Sequence, residues 1–173
     1  MDKILSAFLT SQYEEGMALA AASDLLELFV ASGDPPQRYL AHFRCTGLLY
    51  TPEGHITPGH DFSVGIWFPD NYLRRAEPAQ VVTWLGPRAV WHPNIRPPFM
   101  CVGRLLPGTS LVDLLYQIFE IITYTKVTMR EDDALNKDAC AWARHHQDWF
   151  PVDKRPLKRR ALDLRVEAIG EGT

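Results

Sequence analysis

The sequence predicts an α+β fold: an antiparallel β-meander flanked by an N-terminal helix and C-terminal helices. Three observations predict it. Apolar residues recur at helical spacing over residues 11–31, 111–122 and 134–147. Phe62, Val64, Ile66 and Phe68 alternate with Ser63, Gly65 and Trp67, the signature of a half-buried strand. Shorter apolar runs around them are bounded by Gly, Pro, Asn and Asp, as strands between turns should be.

In order, the first helix spans 11–31, with Ser11 as N-cap and Glu14 completing a capping box. Met17, Ala21, Leu25, Leu28 and Phe29 form its inward face, and Gly33-Asp34-Pro35-Pro36 stops it. Residues 39–50 read as a broken strand with Gly47 at a bulge and Cys45 as a small core or face residue. Thr51-Pro52-Glu53-Gly54 is a turn, and a long hairpin loop carrying His55 and His60 leads to the strand at 62–68. Two loop histidines hold a metal only if a third ligand joins them; otherwise they are solvated. Pro69-Asp70-Asn71-Tyr72 breaks that strand, residues 73–79 read as extended and polar, and Val81, Val82, Trp84 and Leu85 form a third short strand ended by Gly86-Pro87.

Further on, Thr109 or Ser110 caps a helix whose stripe of Leu111, Leu115, Ile118 and Ile122 is widened by Leu114, Phe119 and Ile121. A stripe this broad belongs to a buried helix lying on a sheet. After a polar connection at 127–133, the last helix runs from about Ala134 to Gln147, capped by Asp132 or Asp133. Ala139, Trp142 and Ala143 face inward on it, Cys140 is a structural thiol, and the adjacent His145 and His146 point to different sides. Trp149-Phe150-Pro151 closes the compact part, giving a domain at 1–150 and a basic C-terminal extension at 151–173. That extension carries Lys154, Arg155, Lys158, Arg159 and Arg160, either a solvated linker or a surface for an acidic partner. Leu162, Leu164, Val166 and Ala168 then alternate with charged residues, as an edge strand or docking segment would.

Composition narrows the function classes. With 46% hydrophobic and 23% charged residues the chain is an ordinary globular protein, and its 173 residues suffice for one sizeable core. A net charge of −3 gives general nucleic-acid binding no electrostatic support. The start lacks the basic-then-apolar layout of a secretory signal, and the most apolar region, 111–124, is interrupted by Asp113, Gln117 and Glu120, so neither export nor a membrane span is expected. Cys45, Cys101 and Cys140 are few, odd in number and far apart, which predicts a reducing, cytoplasmic setting without a disulfide framework. No cofactor motif is present.

The chain is organised around Trp91-His92-Pro93-Asn94-Ile95-Arg96-Pro97-Pro98-Phe99-Met100-Cys101. Its prolines forbid regular helix and central strand. A rigid segment that fixes an amide side chain near a thiol is what thioester chemistry requires: the amide donates to a developing oxyanion and the thiolate carries the acyl group. The plainer reading is a proline-rich loop ending at a buried Cys.

The element order, together with these motifs, resembles the ubiquitin-conjugating enzyme (UBC-like) family over roughly residues 11–150. Phe68-Pro69-Asp70-Asn71-Tyr72 is similar to its Phe-Pro-x-x-Tyr, His92-Pro93-Asn94-Ile95 to its His-Pro-Asn signature, and Asp132-Asp133-Ala134-Leu135-Asn136 to the segment that opens its last helix beside the active site. Cys101 stands one residue nearer the Asn than the family's usual spacing, the Gly preceding the family's Cys and the Trp following it are absent, and the paired prolines after the Tyr are reduced to Pro78. The divergence resembles the ubiquitin-conjugating-type proteins encoded in bacterial operons with a ubiquitin-like modifier, an activating enzyme and a peptidase, some of which act in defence against phage.

The resemblance implies that Cys101 accepts a modifier's C-terminal carboxyl group from an activating enzyme, and that a substrate amine, such as a lysine, attacks the thioester. It implies a modifier, an adenylating enzyme and a protein substrate as partners, with no cofactor, metal, nucleic acid or membrane. Asn94 would donate to the oxyanion or brace its loop, Asp132 or Asp133 would orient the incoming ammonium or cap the helix, and His92 and Pro93 would shape the motif. Two other expectations compete: a non-catalytic module of the same fold, related to RWD domains, that recognises a modifier or scaffolds a partner, and a cysteine hydrolase using Cys101 with a distant His.

Overall fold

A computed structural model describes residues 2–159. Its elements run α1 (Lys3–Ala21), β1 (Leu26–Gly33), β2 (Pro36–Phe43), β3 (Gly47–Tyr50), β4 (Ile56–Gly59), β5 (Phe62–Trp67), α2 (Pro78–Val81), β6 (Val82–Gly86), β7 (Ile95–Arg96), β8 (Phe99–Met100), α3 (Leu111–Ile122) and α4 (Lys137–His145). The fold is α+β: an N-terminal helix, an antiparallel sheet and C-terminal helices.

The first helix begins and ends earlier than its apolar spacing predicts. Asp2, not Ser11, is the N-cap, its carboxylate accepting from Ile4 N–H, while Ser11 lies mid-helix and donates to Glu15. The chain leaves the helix after Ala21, and Ser23 Oγ accepts from Leu25 N–H, a local bond that competes with helix continuation. Leu26 to Gly33 then form β1, not helix, because the segment finds a strand partner in β2. Gly33-Asp34-Pro35-Pro36 is thus a hairpin turn; Gly33 sits at φ +108, where side-chain-bearing residues are strained.

The main sheet has four strands in the order β1-β2-β5-β6, every neighbour antiparallel. The excursion between β2 and β5 folds into its own hairpin, β3–β4. Residues 39–50 are therefore two strands of different sheets, and Gly47 is a close-approach site: a Cβ there would lie 2.6 Å from the Phe62 ring. The alternation in β5 is as predicted, with Phe62, Val64 and Ile66 buried. In the 73–79 stretch Leu73 and Arg74 lie in a turn, 75–77 are irregular, and Pro78 opens the single turn of α2, which takes Val81 out of the third strand.

Helix α3 packs on α1 and shares one hydrophobic core with the sheet. Ser110 caps it, and Leu111, Leu114, Leu115, Ile118, Phe119, Ile121 and Ile122 are all buried. α1 packs on it so closely that a Cβ on Gly16 would sit 2.6 Å from Leu111 Cδ2, and Gln12 Oε1 accepts from Leu111 N–H at 2.7 Å.

The last helix starts at Lys137, capped by Asn136, whose Oδ1 accepts from Ala139 N–H. Asp132 and Asp133 are not its caps; they lie in a separate 3₁₀ turn, Glu131–Asp133, because Pro93 C=O draws the N–H groups of Leu135 and Asn136 out of helical geometry. Ala139, Cys140 and Ala143 are buried as expected, and Trp142 stacks on His146.

The compact body continues past Pro151. Val152 N–H donates to Thr123 C=O, Leu157 belongs to the core, and Asp24 N–H donates to Arg159 C=O. Arg155 holds Asp153 through two side-chain bonds of 3.0 and 2.7 Å, so the first part of the basic extension is docked, not a free linker. The alternating stretch beyond Arg160 lies outside the described residues. No helix among the described residues is long and apolar enough to cross a membrane.

Candidate functional site

Three segments build the site: the loop before β7, the end of β8, and the connection from α3 to α4. The loop is held by its own polar groups. His92 Nδ1 accepts from Asn94 N–H at 3.0 Å, which leaves the proton of the neutral ring on Nε2. The ring is buried against Tyr124, and burial drives its pKa down to about 3. His92 is therefore neutral at physiological pH and shapes the loop; it is not a general base for Cys101.

Asn94 is the junction. Its backbone C=O accepts from Cys101 N–H at 2.8 Å, and its Nδ2 donates to Cys101 C=O at 3.1 Å. Its Oδ1 accepts from Thr128 N–H at 2.9 Å. One donor on one side and one acceptor on the other define which way the amide faces. The structure brings the amide of Asn94 to the backbone of Cys101. Asn94 is buried, whereas Cys101 is partly exposed.

The third segment is tied to the first. Pro93 C=O accepts from both Leu135 N–H (2.9 Å) and Asn136 N–H (3.1 Å). A cleft of about 830 Å³ opens here, walled by Arg96, Pro97 and Phe99 on one side and Leu135, Asn136 and Lys137 on the other. Asp132 and Asp133 lie just before this wall. Both are exposed; Asp133 pairs with Arg130 at 3.5 Å, and neither carboxylate bonds to Asn94 or Cys101. The structure therefore joins Asn94, His92, Pro93 and Cys101 into one bonded unit and leaves the acidic pair at its margin.

Other contributors carried no sequence signal. Thr128 acts through its backbone, for which any non-proline residue would serve. Lys126 Nζ donates to Val102 C=O at 3.2 Å, steadying the chain after Cys101. Tyr124 takes a left-handed φ of 60° just past α3, and its hydroxyl donates to Trp91 C=O, bracing the loop from beneath. An aromatic at the end of an apolar helix reads simply as core.

The remaining thiols differ from Cys101. Cys45 is fully buried, and burial with Asp153 nearby pushes its pKa up to about 12. Cys140 is also buried, its Sγ donating to Thr128 C=O at 3.4 Å. Among the described residues no group of three or more His, Cys, Asp or Glu could hold a metal ion; His55 and His60 are both exposed. No protein-family model matches the chain, and comparison with curated proteins finds no match.

Proposed function

We propose that the protein is a ubiquitin-conjugating-like acyl transferase of UBC-like architecture, with Cys101 as the acceptor thiol. The observation that supports this most is the bond from Asn94 Nδ2 to the backbone of Cys101, which fixes an amide donor beside the one cysteine among the described residues that is not buried. In the reaction, the Cys101 thiolate attacks the thioester carbonyl of a modifier carried by an adenylating enzyme. The new S–C bond forms and the donor's thiolate leaves. A substrate amine, such as a lysine, then attacks the same carbonyl, the C–N bond forms, and Cys101 departs as thiolate. Asn94 has two N–H donors and Cys101 C=O engages one of them, so the other serves the oxyanion of each tetrahedral intermediate. The exposed carboxylates of Asp132 and Asp133 orient the incoming ammonium and take its proton. The apolar prolines and Phe99 before Cys101 and the neutral His92 supply no adjacent base, which suits exchange by proximity better than hydrolysis. Bacterial antiphage conjugation is the setting that the sequence resemblance favours.

The test is incubation with a ubiquitin-like modifier, its adenylating enzyme and ATP, read on a non-reducing gel. A thiol-sensitive adduct that disappears in Cys101→Ala is the expected result; an adduct that survives Cys101→Ala rejects the proposal. One observation favours a second reading, a non-catalytic module of the same fold: Asn94 is buried and bonded at both ends of its amide, as a pure loop brace would be. Under that reading the modifier binds without forming any adduct.

A further inference from the structure

Asn94 is held on two sides, and the second side leads into α4. Its Nδ2 donates to Cys101 C=O at 3.1 Å, and its Oδ1 accepts from Thr128 N–H at 2.9 Å. The plane of the amide therefore depends on where Thr128 sits. Thr128 is in turn held from behind, where Cys140 Sγ donates to its C=O at 3.4 Å. Among the described residues no other donor bonds that carbonyl. Residue 128 is thus pinned at both ends of its backbone, by one bond to the site and one to the helix.

Cys140 is suited to this place. It is 0% exposed on the inner face of α4, and its own N–H is used within the helix, donating to Asn136 C=O at 3.0 Å. Only its side chain is left to bond across to another segment. A thiol is a weak donor, so what the bond supplies is direction and a partner for a carbonyl that would otherwise lack one. The start of the same helix is tied to the other flank of Asn94, because Pro93 C=O accepts from Leu135 N–H and Asn136 N–H. Helix α4 thus holds the backbone beside Asn94 directly and the Asn94 amide through Thr128. Pro93, Asn94, Thr128 and Cys140 close one hydrogen-bonded circuit through α4, and bonds in such a circuit support one another.

We infer that Cys140 is a positioning residue: through Thr128 it sets the orientation of the Asn94 amide beside Cys101. Its thiol touches no reacting atom. The consequence for acyl transfer rests on the function proposed above, whereas the orientation of the amide does not.

NMR of the full chain reads that orientation. The Asn94 side-chain amide protons should exchange slowly with water in the unaltered chain. Cys140→Ala should speed their exchange about threefold or more, while Cys140→Ser, which keeps a donor for Thr128 C=O, should hold it near the native rate. A thiol that only filled space would be replaced no better by Ser than by Ala, so equal exchange in the two variants overturns the inference. The backbone amides of α3 report that the fold is intact. If Cys140→Ala releases them as well, Cys140→Ser decides: native exchange at Asn94 upholds the inference, and faster exchange with α3 intact overturns it. The kinetic arm uses a short peptide thioester as acyl donor and free lysine as acceptor. Discharge of Cys101 should slow about threefold to tenfold in Cys140→Ala and recover in Cys140→Ser. Unchanged discharge in Cys140→Ala, with the Asn94 protons loosened, overturns the part of Asn94 in transfer and upholds its positioning by Cys140.

Discussion

Cys45 and Cys101 carry the same side chain in two differently built regions. Around Cys45 the neighbours are core side chains packed between sheet and helix, and the thiol is held neutral by burial. Around Cys101 order comes from backbone bonds to Asn94 C=O and from the Asn94 amide, with the side chain left partly exposed. Packing removes a thiol from chemistry; a hydrogen-bonded loop positions one without enclosing it.

The largest effects should fall where this contrast is erased. Brief alkylation of the native protein should modify Cys101 and spare Cys45 and Cys140, so Cys101→Ala should abolish labelling, whereas Cys45→Ala should leave it unchanged; mass spectrometry of the digested protein reads this directly. Next comes the amide. Asn94→Ala should slow transfer to an amine by about 100- to 1,000-fold, with less effect on loading, measured as single-turnover discharge. Asn94→Asp keeps the acceptor for Thr128 N–H but sets an oxygen against Cys101 C=O; loss of transfer in this variant equal to that in Ala would point to the donor itself. A core truncation sharpens the other half of the comparison: Leu115→Ala, fully buried on α3, should cost about 2–5 kcal/mol in urea unfolding.

The smallest effect is electrostatic. Burial would raise the pKa of Asp153, but bonds from the Arg155 side chain, Thr46 N–H and Arg155 N–H outweigh it and bring the pKa to about 2, from 3.8. A lowered carboxyl pKa stabilises the fold above pH ~4 and loses that contribution as pH falls toward 2. The contribution is on the order of 2 kcal/mol at most, reduced by solvent screening because Arg155 is 41% exposed. Asp153→Asn should flatten acid unfolding in that window, followed by circular dichroism.

The features legible in the sequence were those with a short-range cause. The stripe of α3 with its Ser110 cap and the alternation of β5 follow from spacing within one segment. The misplacements had long-range causes. Leu26 to Val30 fit a helix until β2 claims them, and Leu135 and Asn136 fit a first helical turn until Pro93 C=O takes their N–H groups. The docking of Asp153 on Thr46 was invisible because the partners are far apart in the chain. The exposed acidic turn carries no bond that fixes it to the thiol, so its part in the site rests on placement alone.

Pro93 has no N–H to give, yet its carbonyl takes two from the approach to α4. Those two bonds tie the loop that carries Asn94 to the start of α4, so the orientation of the amide and the seat of the helix behind the cleft depend on one carbonyl.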